Sequence, residues 1–185
     1  MEKNSARPLA IGLTVLGGLA RMAQNLNFAP VGALSLFAGA RLRGWQAYVV
    51  PIALMAATDP LVSLIYGYSA TSGYSFATPF IYASFLISVW IGTRLRSTEN
   101  PAWIGAAALI GSAQFFLISN FGVWLGSTHT YAHTPAGLLA CYINAIPFFR
   151  HTVISDVIYA AVFFGLHAVL SRTVVRSERV AVQAA

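Results

Sequence analysis

The chain is expected to be an all-α membrane protein: six transmembrane helices, both termini cytoplasmic, and a short outer-surface helix between the fifth and sixth spans. Composition is the first sign. Of 185 residues, 57% are hydrophobic and 9% charged, whereas a soluble domain carries roughly a quarter charged residues. The second sign is the placement of basic side chains. Nine of the eleven Lys and Arg residues fall into four clusters, Lys3/Arg7, Arg41/Arg43, Arg94/Arg96 and Arg172/Arg176/Arg179. Two apolar segments separate each cluster from the next, the rhythm expected when every second loop faces the cytoplasm and retains its positive charge. The third sign is length. A helical span needs about 20 apolar residues, so six of them with short connections use the whole chain as one integral domain, 1–185.

The first span is expected at 8–23, running outward. Its Ala6, Ala10, Thr14 and Gly18 recur every four residues as a ridge of small side chains, which packs inside the protein or docks a partner helix. A polar turn leads to Pro30, which opens a short second span at 30–43, rich in Gly and Ala and suited to burial among other helices. The third, 45–66, holds Pro51 and Pro60, tolerated in membranes where neighbours compensate. An uncharged Gly/Ser/Thr/Tyr loop precedes the fourth span, 79–95, and the fifth follows at 102–124. Thr134-Pro135 signals a helix start, a side-chain cap followed by a residue without an N–H. The segment 135–146 is too short to cross and is expected at the outer surface or re-entrant, ended by Pro147. The sixth span, 152–170, returns the chain to its basic tail.

The net charge of +6 is explained by basic residues at helix ends meeting lipid head groups, so nucleic acid is not the expected partner. One cysteine, Cys141, excludes an internal disulfide. The start of the chain lacks a small-x-small cleavage site, and a retained first span is expected rather than a signal peptide. No nucleophile elbow, phosphate loop or Cys pair is present. His129 and His133 are four apart in a loop without a third ligand type, so neither a metal nor another cofactor is expected.

Polarity gathers in the outer halves of the spans. Outside the basic clusters, Arg21, Asp59, Arg150 and Asp156 are the charges near or within them. Intramembrane charges cost several kcal/mol and persist when paired or functional. By helical rise, Asp59 and Asp156 both lie roughly 9–10 Å below the outer interface. Gln114, Asn120, Tyr142 and Asn144 belong to the same half, and the inner halves carry little beyond Ser and Thr. A through-pore needs polar groups along its full depth, so a recess open outward is expected. The pairs Asp59 with Arg21 and Asp156 with Arg150 are candidates either for ligand contact or for structural ion pairs.

Several stretches resemble a family of uncharacterised bacterial membrane proteins of this length, itself related to the substrate-binding (S) components of energy-coupling-factor (ECF) vitamin transporters. They are Asn27-Phe28-x-Pro30-x-Gly32-Ala33, Phe37-Ala38-Gly39-Ala40, Pro51 to Asp59, Pro79-Phe80-x-Tyr82 and Asn120 to Trp124. Gly137-Leu138, Cys141-Tyr142, Ala145 to Arg150 and Asp156 continue the likeness, which covers about residues 8 to 171. The resemblance implies a bacterial cytoplasmic (inner) membrane protein that binds a vitamin-sized nutrient in an outward pocket. It implies docking through the first-span ridge (Ala6, Ala10, Thr14, Gly18) onto a coupling subunit driven by ATPases, with no catalysis in this chain. The expected pocket residues are Asp59, Asn120, Tyr142, Asn144, Arg150 and Asp156, with Asn27, Tyr82 and Trp124 from the matching stretches. Arg150 would suit a ligand carboxylate or phosphate, and the aspartates an amine or hydroxyl. The alternatives are a non-catalytic membrane scaffold and an intramembrane enzyme using the Asp59/Asp156 carboxylates or a metal at His129/His133.

Overall fold

A computed structural model describes the backbone of residues 2–23, 30–127 and 129–183, and side chains over 8–22, 30–127 and 129–173. The described residues form α1 (Glu2–Ala20), a 3₁₀ turn (Arg21–Ala23), α2 (Val31–Arg41), α3 (Gln46–Ile65), α4 (Thr78–Thr93), α5 (Pro101–Leu125) and α6 (Pro135–Gln183). Among them α3, α5 and the Pro135–Thr173 part of α6 are long and apolar enough to cross a membrane. The apolar stretches Pro8–Ala20, Val31–Arg41 and Thr78–Thr93 are shorter.

Local chemistry sets the ends. The Asn100 side chain accepts the Ala102 N–H at 2.9 Å and Pro101 opens α5, so one orphan donor is satisfied and the next residue has none to satisfy. Thr134 does the same for α6, its hydroxyl accepting from Gly137 N–H at 3.1 Å. One expectation is corrected here. The surface or re-entrant helix at 135–146 is not a separate element, and Pro147 does not end it: α6 continues through Pro147 for 49 residues. That proline leaves one carbonyl of the preceding turn without its helical donor. Unwinding the chain in an apolar environment would orphan several backbone groups instead.

The exterior differs from that of a water-soluble bundle, and the apolar interior admits several polar groups. Leu16, Leu19, Leu64, Ile110, Leu139 and Val169 are all among the exposed large apolar side chains. Thr14, Ser35, Ser84, Ser88, Ser112 and Asp156 are buried. An apolar exterior over a partly polar interior is what lipid requires, since apolar side chains gain nothing by leaving hydrocarbon. The chain is a helical membrane protein.

α2 is the axle. Nine of its residues are buried, among them Leu34, Leu36 and Phe37, and it packs on all five other helices. Phe37 is enclosed by Phe163, Phe164 and His167 of α6. Against α4 the two backbones touch. A Cβ on Gly39 would meet the Val89 carbonyl, and a Cβ on Gly92 would meet that of Leu36. Only glycine fits at either place.

Two basic-cluster residues turn out to hold this crossing together. Arg41 donates to the Leu95 and Thr98 carbonyls, both at 3.2 Å, beyond the end of α4. Arg96 returns the favour with a 3.2 Å bond to the Gly39 carbonyl in α2. Arg96 thereby meets a carbonyl in the last turn of α2, where orphan acceptors and negative dipole coincide, while Arg41 holds the chain that follows α4. This is the basic end of the bundle.

Candidate functional site

At the opposite end the helices leave a recess of about 300 Å³. Its walls come from the 3₁₀ turn after α1, the start of α2, the second half of α3, the first half of α4 and the middles of α5 and α6. One wall is a polar chain. Arg21 Nη1 lies 2.7 Å from Asp59 Oδ1, with the side chains only 14% and 17% exposed. The same Nη1 donates to Thr58 Oγ1 at 3.0 Å, and the Tyr82 hydroxyl donates to Asp59 Oδ2 at 2.5 Å. Both Asp59 oxygens are therefore engaged, and α1, α3 and α4 meet through one carboxylate.

The second polar group is Asp156, 4% exposed. Its Oδ1 accepts the Ala33 N–H at 3.0 Å and its Oδ2 the Ser112 hydroxyl at 2.6 Å. Ala33 sits in the first turn of α2, where unpaired N–H groups and the helix dipole favour an anion. A carboxylate from α6 thus caps α2 from outside. Gly32 makes this possible, because a Cβ there would fall on the Asp156 carboxylate. Among the described residues no Lys or Arg pairs with Asp156. Between the polar groups the lining is apolar, with Met55, Ile81, Phe85 and Phe115; the two phenylalanine rings stack at 5.1 Å.

Of the residues expected in the pocket, Asp59, Tyr82 and Asp156 line this recess. Others lie elsewhere. Asn120 borders a smaller hollow of about 200 Å³ with Phe116 and Phe149, and its amide bonds the Phe116 carbonyl of its own helix. Tyr142 donates to the Leu117 carbonyl at 2.8 Å, tying α6 to α5. Asn144 is exposed and reaches the Tyr131 hydroxyl at 3.3 Å. Trp124 donates to the Ala132 carbonyl at 2.9 Å and stands edge-on to His133, pinning the connection before α6. Arg150 is exposed and lines none of these cavities. The candidate pairing of Arg150 with Asp156 is not formed, because six residues along a helix leave the two side chains about 120° apart around its axis. Asn27 lies outside the described residues.

The small-residue ridge of α1 is covered by the chain itself. Ala10 and Thr14 are both 0% exposed, and Gly18 sits against the Leu54 side chain. Ala6 is in a part of α1 whose side chains are outside the described residues. Of the two readings of the ridge, internal packing is the one this arrangement fills. His129 and His133 are exposed, and no group of three metal-ligating side chains occurs among the described residues.

Sequence reasoning missed several contributors. Arg21 stands out in the sequence only as an isolated charge, and nothing in the sequence pattern marks Ser112, Thr58, Met55 or Phe115. What assigns them is the register between helices, which a single sequence does not carry.

A family model described as a family of unknown function (DUF6580) matches residues 2–180. The chain belongs to that family. No curated protein and no solved structure matches it.

Proposed function

We propose that this chain is the membrane-embedded substrate-binding component of a nutrient uptake system, in the manner of an ECF S component. In this reading six helices cross the bacterial cytoplasmic membrane, with both termini and the basic end cytoplasmic and the recess facing outward. The observation that carries the reading is a recess of about 300 Å³, lined by Arg21, Asp59, Tyr82 and Asp156, inside helices whose outer faces are apolar. That volume is at the small end of ligand sites, suited to a vitamin-sized or smaller solute. Arg21 is already matched by Asp59, whereas Asp156 lacks a basic partner among the described residues. The favoured ligand therefore presents an amine or hydroxyl donor to Asp156, while the Phe85/Phe115 stack takes its apolar part. With Arg150 outside the recess, the case for a ligand carboxylate or phosphate there lapses. A separate coupling subunit with ATPases would supply energy.

The scaffold reading has one observation of its own: every charged group in the recess already has internal hydrogen-bond partners. One experiment separates the two. Mass spectrometry of small molecules released from the purified protein is compared with a Met55→Trp variant, which fills the recess without touching its polar groups. Uptake predicts a solute that is retained by the natural protein and lost from the variant. A folded natural protein that releases nothing, even after incubation with candidate nutrients, supports the scaffold.

A further inference from the structure

A second cavity, of about 420 Å³, lies between α5 and α6 at the basic end, away from the recess. Its α6 side is one helix face: Val157, Ala160, Ala161, Phe164, Gly165 and Ala168, with Arg172 beyond them. From Val157 to Arg172 this face is about 22 Å long, more than half the roughly 30 Å hydrocarbon thickness of a bilayer. The groove is open on its outer side, because Ala161 and Gly165 are exposed. A Cβ on either Gly105 or Gly165 would meet nothing within 4 Å.

The mouth has a different chemistry. Arg41, Glu99 and Arg172 line it, two guanidinium groups against one carboxylate. Arg172 and Glu99 are only loosely joined, at 3.8 Å, with side chains 78% and 62% exposed. Arg41 bonds the Leu95 and Thr98 carbonyls, but its Nε is buried without a partner. Net positive charge thus sits at one end of an apolar groove.

We propose that this groove binds an anionic phospholipid, with an acyl chain along the small-residue face of α6 and the phosphate at Arg41 and Arg172. Charge complementarity selects the anion, since basic pockets between helices at the cytoplasmic side attract acidic head groups. Shape and charge argue against a docked helix. A helix laid on the open side would place at most one face of side chains in it and would leave the charges of Arg41 and Arg172 without a counter-ion unless it carried one. A flexible acyl chain fills a long, thin space at less cost.

The test is native mass spectrometry of the full-length protein in detergent, titrated with phosphatidylglycerol or phosphatidylcholine of identical acyl chains. The natural protein should retain phosphatidylglycerol preferentially. Arg172→Gln, at an exposed position, should weaken that retention about five-fold, the effect of one basic side chain on an anionic lipid, and weaken phosphatidylcholine less, because its choline cation offsets the phosphate that the arginine meets. Gly165→Leu, which grows into open space, should reduce retention of both lipids. Glycerol phosphate, a head group without a chain, should not compete. Equal retention of the two lipids, or indifference to either substitution, overturns the proposal. So does competition by glycerol phosphate, or a Gly165→Leu effect confined to self-association.

Discussion

The ion pair between Arg21 and Asp59 is the most decisive place to perturb the recess. Asp59→Asn keeps the side-chain volume and an acceptor for Tyr82 but removes the charge opposite a guanidinium that is 14% exposed. Arg21 is then left with the uncharged Thr58 hydroxyl. Removing one member of a buried pair costs about 3–5 kcal/mol, because the other charge stays desolvated and uncompensated. The residual exposure of both groups argues for the lower bound, about 3 kcal/mol. At about 2–4 °C per kcal/mol for a chain of this size, the melting temperature should fall by about 6–12 °C. Arg21→Met should do similar damage. The double variant Arg21→Met/Asp59→Asn should be less damaged than the two losses summed, by about 1–3 kcal/mol, since the members of a direct pair couple. Intrinsic tryptophan fluorescence during heating, in lipid nanodiscs, measures all four proteins. If each single variant melts within 1 °C of the natural protein, or if the losses simply add, the pair does not hold α1 to α3 and the argument fails.

Two further outcomes follow from the packing. Gly39→Ala and Gly92→Ala should each abolish accumulation of folded protein, because each new methyl group meets backbone of the facing helix and overpacking that cannot relax exceeds the usual 1–3 kcal/mol; the check is the monodisperse fraction after detergent extraction. Trp124→Phe should lower the melting temperature by only about 2–4 °C, removing a hydrogen bond worth about 1 kcal/mol, yet quicken protease cleavage between Gly126 and Thr134, where the Ala132 carbonyl loses its anchor.

What the sequence made legible is whatever depends on one helix at a time. Helix locations follow from apolar runs, and the α5 and α6 starts from Asn100-Pro101 and Thr134-Pro135, because capping is local chemistry. The pairing of Arg21 with Asp59 was legible as a candidate, since two opposite charges at one depth in an apolar chain have few other partners. Facing directions were not legible. Arg150 and Asp156 lie at similar depth, but their separation around the axis is set only once both are known to belong to one helix, as they do in α6. Gln114 was counted among the outer polar groups, yet its amide clamps α5 to α4 through the Ser84 carbonyl and the Ser88 hydroxyl. The closeness of α2 to α4 was hidden as well. Glycines in an apolar helix are common in membranes, and only the crossing point shows that Gly39 and Gly92 are indispensable.

The two ends of α2 constrain how the recess can open. Its N-terminal turn is fixed by the Asp156 carboxylate, its C-terminal carbonyls by Arg96, and its middle by backbone contact with α4. Displacing α2 would break all three at once and leave buried polar groups unpaired, at about 1–3 kcal/mol for each neutral group and more for the carboxylate. The opposite wall is held differently. There α1 and α3 meet through the Arg21 and Asp59 side chains and through Gly18 against Leu54, and both arginine and leucine can change rotamer without moving backbone. A solute entering the recess would therefore press the Arg21/Asp59 side aside and rest against a fixed α2–α4–α6 floor. The two carboxylates thus differ in how they are held: Asp156 accepts from the Ala33 backbone N–H and the Ser112 hydroxyl, whereas Asp59, among the described residues, is engaged by the Arg21 and Tyr82 side chains alone.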